Sequence, residues 1–226
     1  MARFLIVSKA ENIREYEKIA KEYNVGYEYN DFYMPDVLDS NHKKQQLQKI
    51  YETSYQPDFC TMHGAFLDII VFSSDEKIRE IAKLRMRQSM DMAKEMGAKA
   101  VVFHTNVNSF LSAEVYLNEV INKTVEFLKV LLEEYPKIQI YMENMFDDNP
   151  YVLFEISKAL KQYENYGVCL DYAHASISST PIKEWVLTLH PYIRHIHIND
   201  NDLKNDLHLA VGDGKIDWEQ FKIYYN

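Results

Sequence analysis

Cysteine and glycine are scarce, with two and six residues among 226. Cys60 and Cys169 lie far apart and form no Cys-x-x-Cys spacing. That excludes a disulfide framework and a cysteine-built zinc knuckle, and both thiols are read as buried and reduced. No Gly-x-Gly-x-x-Gly or Gly-x-x-x-x-Gly-Lys-Ser/Thr segment follows any apolar run, so a phosphate-cradling loop is not expected. Basic residues are in deficit: 25 Lys and Arg face 34 Asp and Glu, a formal charge of −9. Non-specific duplex binding needs clustered cations and is disfavoured, although a local basic groove is not excluded. Long apolar runs are also missing. The run Phe4–Val7 is shorter than the about 7–15 residues of a signal-peptide core or the about 20 of a membrane span. A cytoplasmic protein without membrane contact is expected. No low-complexity linker marks a boundary, so the expectation is one domain over residues 1–226.

Hydrophobic residues make up 47% of the chain and charged residues 26%, which excludes a disordered chain, a collagen and a disulfide-stapled miniprotein. Short β-branched or aromatic runs alternate with longer stretches of helical period. Strands are expected at Phe4–Val7, Val25–Tyr29, Phe59–His63, Ala100–His104, Ile138–Glu143, Val168–Asp171 and Ile193–Ile198. Helices are expected at Asn12–Tyr23, His42–Tyr51, Asp75–Met96, Ser112–Tyr135, Tyr151–Tyr163, Ile182–Leu189 and Trp218–Tyr225. Gly97 closes the third of these, and Ser112 is a plausible cap for the fourth. Repeated strand–helix units imply parallel strands with helical crossovers. The expected class is α/β, a (β/α)8 TIM-type barrel, with a doubly wound open sheet as the alternative.

The middle and late strands end in metal-ligand residue types. His63, His104, Glu143, Asp171 and His197 each close a strand; His174 follows three residues after Asp171, and the last loop carries Asp206 and His208. Parallel barrel strands deliver their carboxyl ends to one rim, so these side chains can meet although distant in sequence. Several carboxylates and imidazoles cannot be desolvated together cheaply, and a divalent cation supplies the compensation. Mixed nitrogen and oxygen donors suit Zn or Mn first, then Co or Fe, better than Ca or Mg. Taken singly, each residue has a bland reading. A strand-end His is usually structural, Glu143 could pair with a Lys, Asp171 and His174 could form a turn, and the Asn199–Asp206 loop reads as solvated surface. His42 and His190 lack the strand-end setting. His195 shares a face with His197, either supporting it from one layer below or simply packing.

Together these segments resemble the xylose isomerase-like barrel superfamily, which holds sugar isomerases and epimerases, inosose-processing enzymes and the endonuclease IV group of abasic-site nucleases. The matching segments include Met62–Phe66, Phe103–Asn106, Tyr141–Asn144, Leu170–His174, His195–Asp200, Asp206–His208 and Gly212–Trp218. The resemblance implies that Glu143, Asp171 and His197 bind the shared metal. It implies that His174 binds a second metal or, with Asn144, contacts substrate. His63, His104, Asp206 and His208 match further ligands of the multi-zinc nuclease. The family's last strand ends in another metal-binding glutamate, whereas this sequence stops within the preceding helix. A barrel lacking its eighth strand is therefore expected: either the gene is cut short or another chain closes the gap. Reduced stability or self-association follows from two unpaired edges.

Three functions are weighed. The first is a metal-dependent sugar or sugar-phosphate isomerase or epimerase, with Glu143 as an acid–base partner. The second is an abasic-site endonuclease, which the acidic balance disfavours. The third is a degenerate metal-binding barrel without turnover. A small carbohydrate is the expected partner under the first.

Overall fold

A computed structural model of the protein describes residues 3–225. The strands are β1 (Leu5–Ser8), β2 (Gly26–Tyr29), β3 (Cys60–His63), β4 (Ala100–His104), β5 (Gln139–Glu143), β6 (Tyr166–Asp171) and β7 (Ile193–His197). The helices are α1 (Ile13–Tyr23), α2 (Pro35–Leu38), α3 (Asn41–Glu52), α4 (Glu76–Met96), α5 (Glu114–Glu134), α6 (Tyr151–Leu160), α7 (Tyr172–Ile177), α8 (Ile182–Leu189) and α9 (Trp218–Tyr225). All seven expected strands form, each within two residues of its expected limits. Helix α5 starts at Glu114, past Ser112. The short helices α2 and α7 add to the expected set.

The strands form one sheet in the order β1-β2-β3-β4-β5-β6-β7. Every register that defines a ladder here is parallel. A doubly wound sheet would reverse its order at a switch point, so sequential order with helical crossovers gives the TIM-type class. Seven barrel strands lie among the described residues, one fewer than eight. No helix among them is long and apolar enough to cross a membrane.

By internal packing the chain divides into two compact units. The first holds the described residues up to Phe103 together with Phe127–Ile140. Its core includes Tyr27, Met62, Val101, Leu128 and Leu131, all essentially without solvent exposure. Its helices have readable ends. Asp75 caps α4 by accepting from the Lys77 N–H at 2.8 Å, and Gly97 ends that helix at a left-handed φ of 70°. Ser40 caps α3 in the same way. Asn24 closes α1 with φ 51°.

The second unit holds His104–Glu126 and the described residues from Tyr141 onward. Leu153, Leu160, Trp185 and Leu189 are wholly buried in it. Strand β6 is buried throughout, whereas β7 is half-exposed, as a strand at the end of the sheet order should be. The β6–β7 register pairs Val168 with Ile193 but Cys169 with His195, so β7 holds one extra residue, a β-bulge at Arg194. Gly167 leaves room for it: a Cβ there would lie 2.6 Å from the Arg194 Cγ. Beyond the bulge, Leu170 pairs with Ile196 and Asp171 with His197.

Candidate metal centre

The second unit contains a polar cluster built from consecutive strand ends. His104 ends β4, Glu143 ends β5, Asp171 ends β6 and His197 ends β7. Glu143 is 1% exposed and lies between two imidazoles. Its Oε1 is 2.8 Å from His197 Nδ1, and its Oε2 is 3.2 Å from His104 Nε2. Asp171 is equally buried and serves two purposes. Its Oδ1 accepts from the His174 N–H at 2.8 Å, which caps α7 and starts that helix directly from the strand. Its Oδ2 accepts from Asn199 Nδ2 at 3.1 Å and lies 3.8 Å from His174 Nδ1.

Asn144 braces the floor. Its Nδ2 donates to the Asp171 carbonyl and its Oδ1 accepts from the Asp171 N–H, both at 2.9 Å. Both ends of this amide are thus engaged with main chain, and its own carbonyl accepts from His174 Nδ1 at 2.9 Å. That bond turns His174 Nε2 toward Asp206 Oδ2, 3.3 Å away, while Asp206 Oδ1 is 3.2 Å from His208 Nε2. His208 holds φ 48°, an uncommon conformation for a non-glycine residue.

The electrostatics are those of crowded charge. Burial pushes Glu143 up, but the imidazoles of His197 and His104 outweigh it and hold the carboxyl well below its ordinary value. Asp171 moves the other way: burial raises it and the Glu143 charge adds to that, against the pull of His174. Burial lowers His174, yet Asp171, Asp206 and Glu143 drive it up to about 10. Donor sets suited to a cation result, two of them at this cluster's carboxylates Asp171 and Asp206. One ligand atom each from Glu143, Asp171 and His197 lie within 4.8 Å of one another, and so do atoms of His174, Asp206 and His208. Two carboxylates with one imidazole, and two imidazoles with one carboxylate, are donor sets that fit Zn, Mn, Fe or Co.

His63 belongs to the first unit, where it ends β3. There its Nδ1 is 3.0 Å from the Gly64 carbonyl and its ring meets Phe66 edge-on. His195 sits one step along β7 below His197, opposite Cys169, with its ring stacked on Tyr141.

Two residues of the cluster are not legible as such in the sequence. Asp147 is buried, hydrogen-bonded by the Thr105 hydroxyl and by the Met145 N–H at 3.1 Å, and pushed by burial up to about 6. Its only signal is an acid four residues past a strand-end glutamate. Asp200 reads as part of an acidic surface loop but is wholly buried, and it organises that loop. Its Oδ1 accepts from the Asn201 and Ile216 N–H groups, and its Oδ2 from the Gly212 N–H and the Trp218 indole, at 2.8–3.1 Å. Gly214 passes so close that a Cβ would lie 2.2 Å from Asp200 Oδ1. An antiparallel bridge from Asp200 to Leu209 then closes the segment carrying Asp206 and His208.

Comparison with known proteins gives a consistent picture. The model of a family described as xylose isomerase-like TIM barrel matches residues 10–222. Uncharacterized protein MJ1614 of Methanocaldococcus jannaschii is 30% identical over 181 residues, 78% of this chain and 68% of that protein. Uncharacterized protein MJ1311 of the same organism is 28% identical over 167 residues, 70% of this chain and 56% of that protein. Among solved structures, the TTHB071 protein from Thermus thermophilus, soaked with ZnCl2, superposes with TM-score 0.75 at 23% identity over 94% of this chain and 83% of its own. A D-tagatose 3-epimerase-like protein gives TM-score 0.75 at 23% identity over 99% and 85%. At that identity the structural likenesses establish the fold.

Proposed function

We propose that this chain, which belongs to the xylose isomerase-like TIM barrel family, is a metal-dependent isomerase or epimerase of a sugar or sugar phosphate. The observation that carries the reading is the convergence of Glu143, Asp171 and His197, each ending its own strand, within 4.8 Å of one another. A divalent cation held there, with Zn or Mn as the first candidates, would polarise a substrate carbonyl and acidify the neighbouring C–H. Glu143 takes up and returns the proton of that carbon, with His104 and His197 against its two carboxylate oxygens. Asn144 fixes the spacing of the Glu143 and Asp171 strand ends. His174, oriented by the Asn144 carbonyl, meets a substrate hydroxyl or joins Asp206 and His208 around a second cation.

The test is solvent exchange. Protein loaded with Mn2+ or Zn2+ is incubated with a ketose panel, with and without terminal phosphate, in deuterated water and followed by NMR. Deuterium should enter beside the carbonyl of one member. Glu143→Gln should slow that exchange at least ~100-fold, the low end of what a positioned acid–base group contributes. Absence of exchange with every ketose would remove the reading.

The His174–Asp206–His208 group supports a second reading, a multi-zinc abasic-site endonuclease. Against it stands the −9 formal charge. Incision of an abasic oligonucleotide by the zinc-loaded protein would favour it over the first.

A further inference from the structure

One layer below the carboxylate triad lies a group of different chemistry. Cys169 and His195 face each other across the β6–β7 ladder, two residues before Asp171 and His197, which also face each other. Side chains two apart on a strand share a face, so Cys169 and His195 lie beneath Asp171 and His197. One ligand atom from each of Cys169, His195 and His197 lies within 4.8 Å of the other two. Tetrahedral zinc with Zn–N of about 2.0–2.1 Å and Zn–S of about 2.3 Å needs ligand atoms about 3.3–3.6 Å apart. From the 4.8 Å limit, the three ligand atoms would draw together by about 1 Å on binding.

The surroundings favour such a site. Tyr141 stacks on the His195 ring at 5.7 Å and 16°, which fixes the plane of that imidazole. The His195 and His197 rings stand edge to face at 5.1 Å and 83°. Cys169 is fully buried, whereas both histidines keep partial exposure, the His197 side chain 15%, and a water would complete the tetrahedron as fourth ligand. One sulfur and two nitrogens form a soft donor set, unlike the oxygen-rich triad above it.

We infer that Cys169, His195 and His197 form a second metal site, which takes a thiophilic divalent cation such as Zn2+, Co2+ or Cd2+ in preference to Mn2+. Binding replaces the thiol proton, which leaves to solvent, and His197 is a ligand shared between the two sites: neutral, it serves one cation, and to serve both it must also release its remaining N–H proton to solvent. A thiophilic ion in the lower site therefore alters the affinity of the upper one. The inference rests on the β6–β7 geometry alone and not on the proposed reaction.

The test is a Co2+ titration of the full chain, read by sulfur-to-cobalt charge transfer in the near ultraviolet. The triad has no sulfur and cannot give that band. The band should saturate with one thiolate per chain and persist in Cys60→Ser and Glu143→Gln. It should vanish in Cys169→Ala while the far-ultraviolet dichroism stays native. His195→Gln, which keeps the thiol, should weaken Co2+ binding at the band at least ~10-fold. Excess Mn2+ should not displace the band, whereas Cd2+ should. A folded wild-type chain that shows no such band, or a band that survives Cys169→Ala, overturns the inference. Failure of ketose exchange leaves the band untouched, so the two ideas fail separately.

Discussion

Replacing Asp200 by asparagine should unfasten the loop that carries Asp206 and His208. The carboxylate offers two oxygens to four donors, the Asn201, Gly212 and Ile216 amides and the Trp218 indole. Asparagine has one oxygen and one NH2, so either orientation leaves two buried donors facing a third. A stranded buried donor costs about 1–3 kcal/mol, so the loss is about 2–6 kcal/mol. Isosteric size rules out a cavity as the cause. Urea unfolding in EDTA measures it, with Asp213→Asn, on the exposed part of the same loop, expected within about 0.5 kcal/mol of wild type. The pH dependence gives a second readout. Burial works against the charged form of Asp200, but its donors hold the carboxyl below the ordinary range. Its stabilisation is therefore complete at neutral pH and is lost only as the pH falls through and below that range. Asp200→Asn should flatten this acid limb. If the variant unfolds within about 0.5 kcal/mol of wild type and keeps the acid limb, the reasoning about this loop is wrong.

Asp147 should behave with the opposite sign. Its carboxyl rises from 3.8 to about 6 on burial, so the folded state keeps a proton that the unfolded chain releases. Stability should fall as pH rises from about 4 to about 6, by about 3 kcal/mol at 1.36 kcal/mol per pH unit, and Asp147→Asn should remove that slope in pH-resolved denaturation. Trp185→Ala should cost about 3–5 kcal/mol, since the ring is wholly buried and its indole donates to Ser178 Oγ at 2.9 Å; thermal unfolding checks it. Gly214→Ala should destabilise through the Asp200 contact, and more than Gly97→Ala does through its left-handed backbone alone; paired urea midpoints decide. Asp171→Asn should lower Mn2+ affinity at least ~10-fold by calorimetry.

The strands are legible because each is a short apolar run ending in a polar residue, and the sheet order follows from their parallel repetition. Helix α7 is not, because Asp171 both ends β6 and caps the helix, leaving no turn residues to mark the change. Strand-end polarity points to Glu143, Asp171 and His197, but the brace from Asn144 is a side-chain-to-main-chain contact across two strands that no local pattern encodes. Asp200 misleads for a related reason. Its neighbours in sequence are polar, whereas three of its four donors come from residues 12 to 18 positions further on.

The extra residue at Arg194 decides which half of β7 does chemistry. In a continuous ladder Arg194 would stand opposite Cys169 and Ile196 opposite Asp171, leaving both histidines on the other side of the sheet. One inserted residue thus works as a parity bit: it exchanges a guanidinium and an aliphatic for two imidazoles without altering any side chain. Ironing out the bulge with every residue kept would turn both histidines to the opposite face, whereas deleting Arg194 itself would leave Cys169 opposite His195 and Asp171 opposite His197.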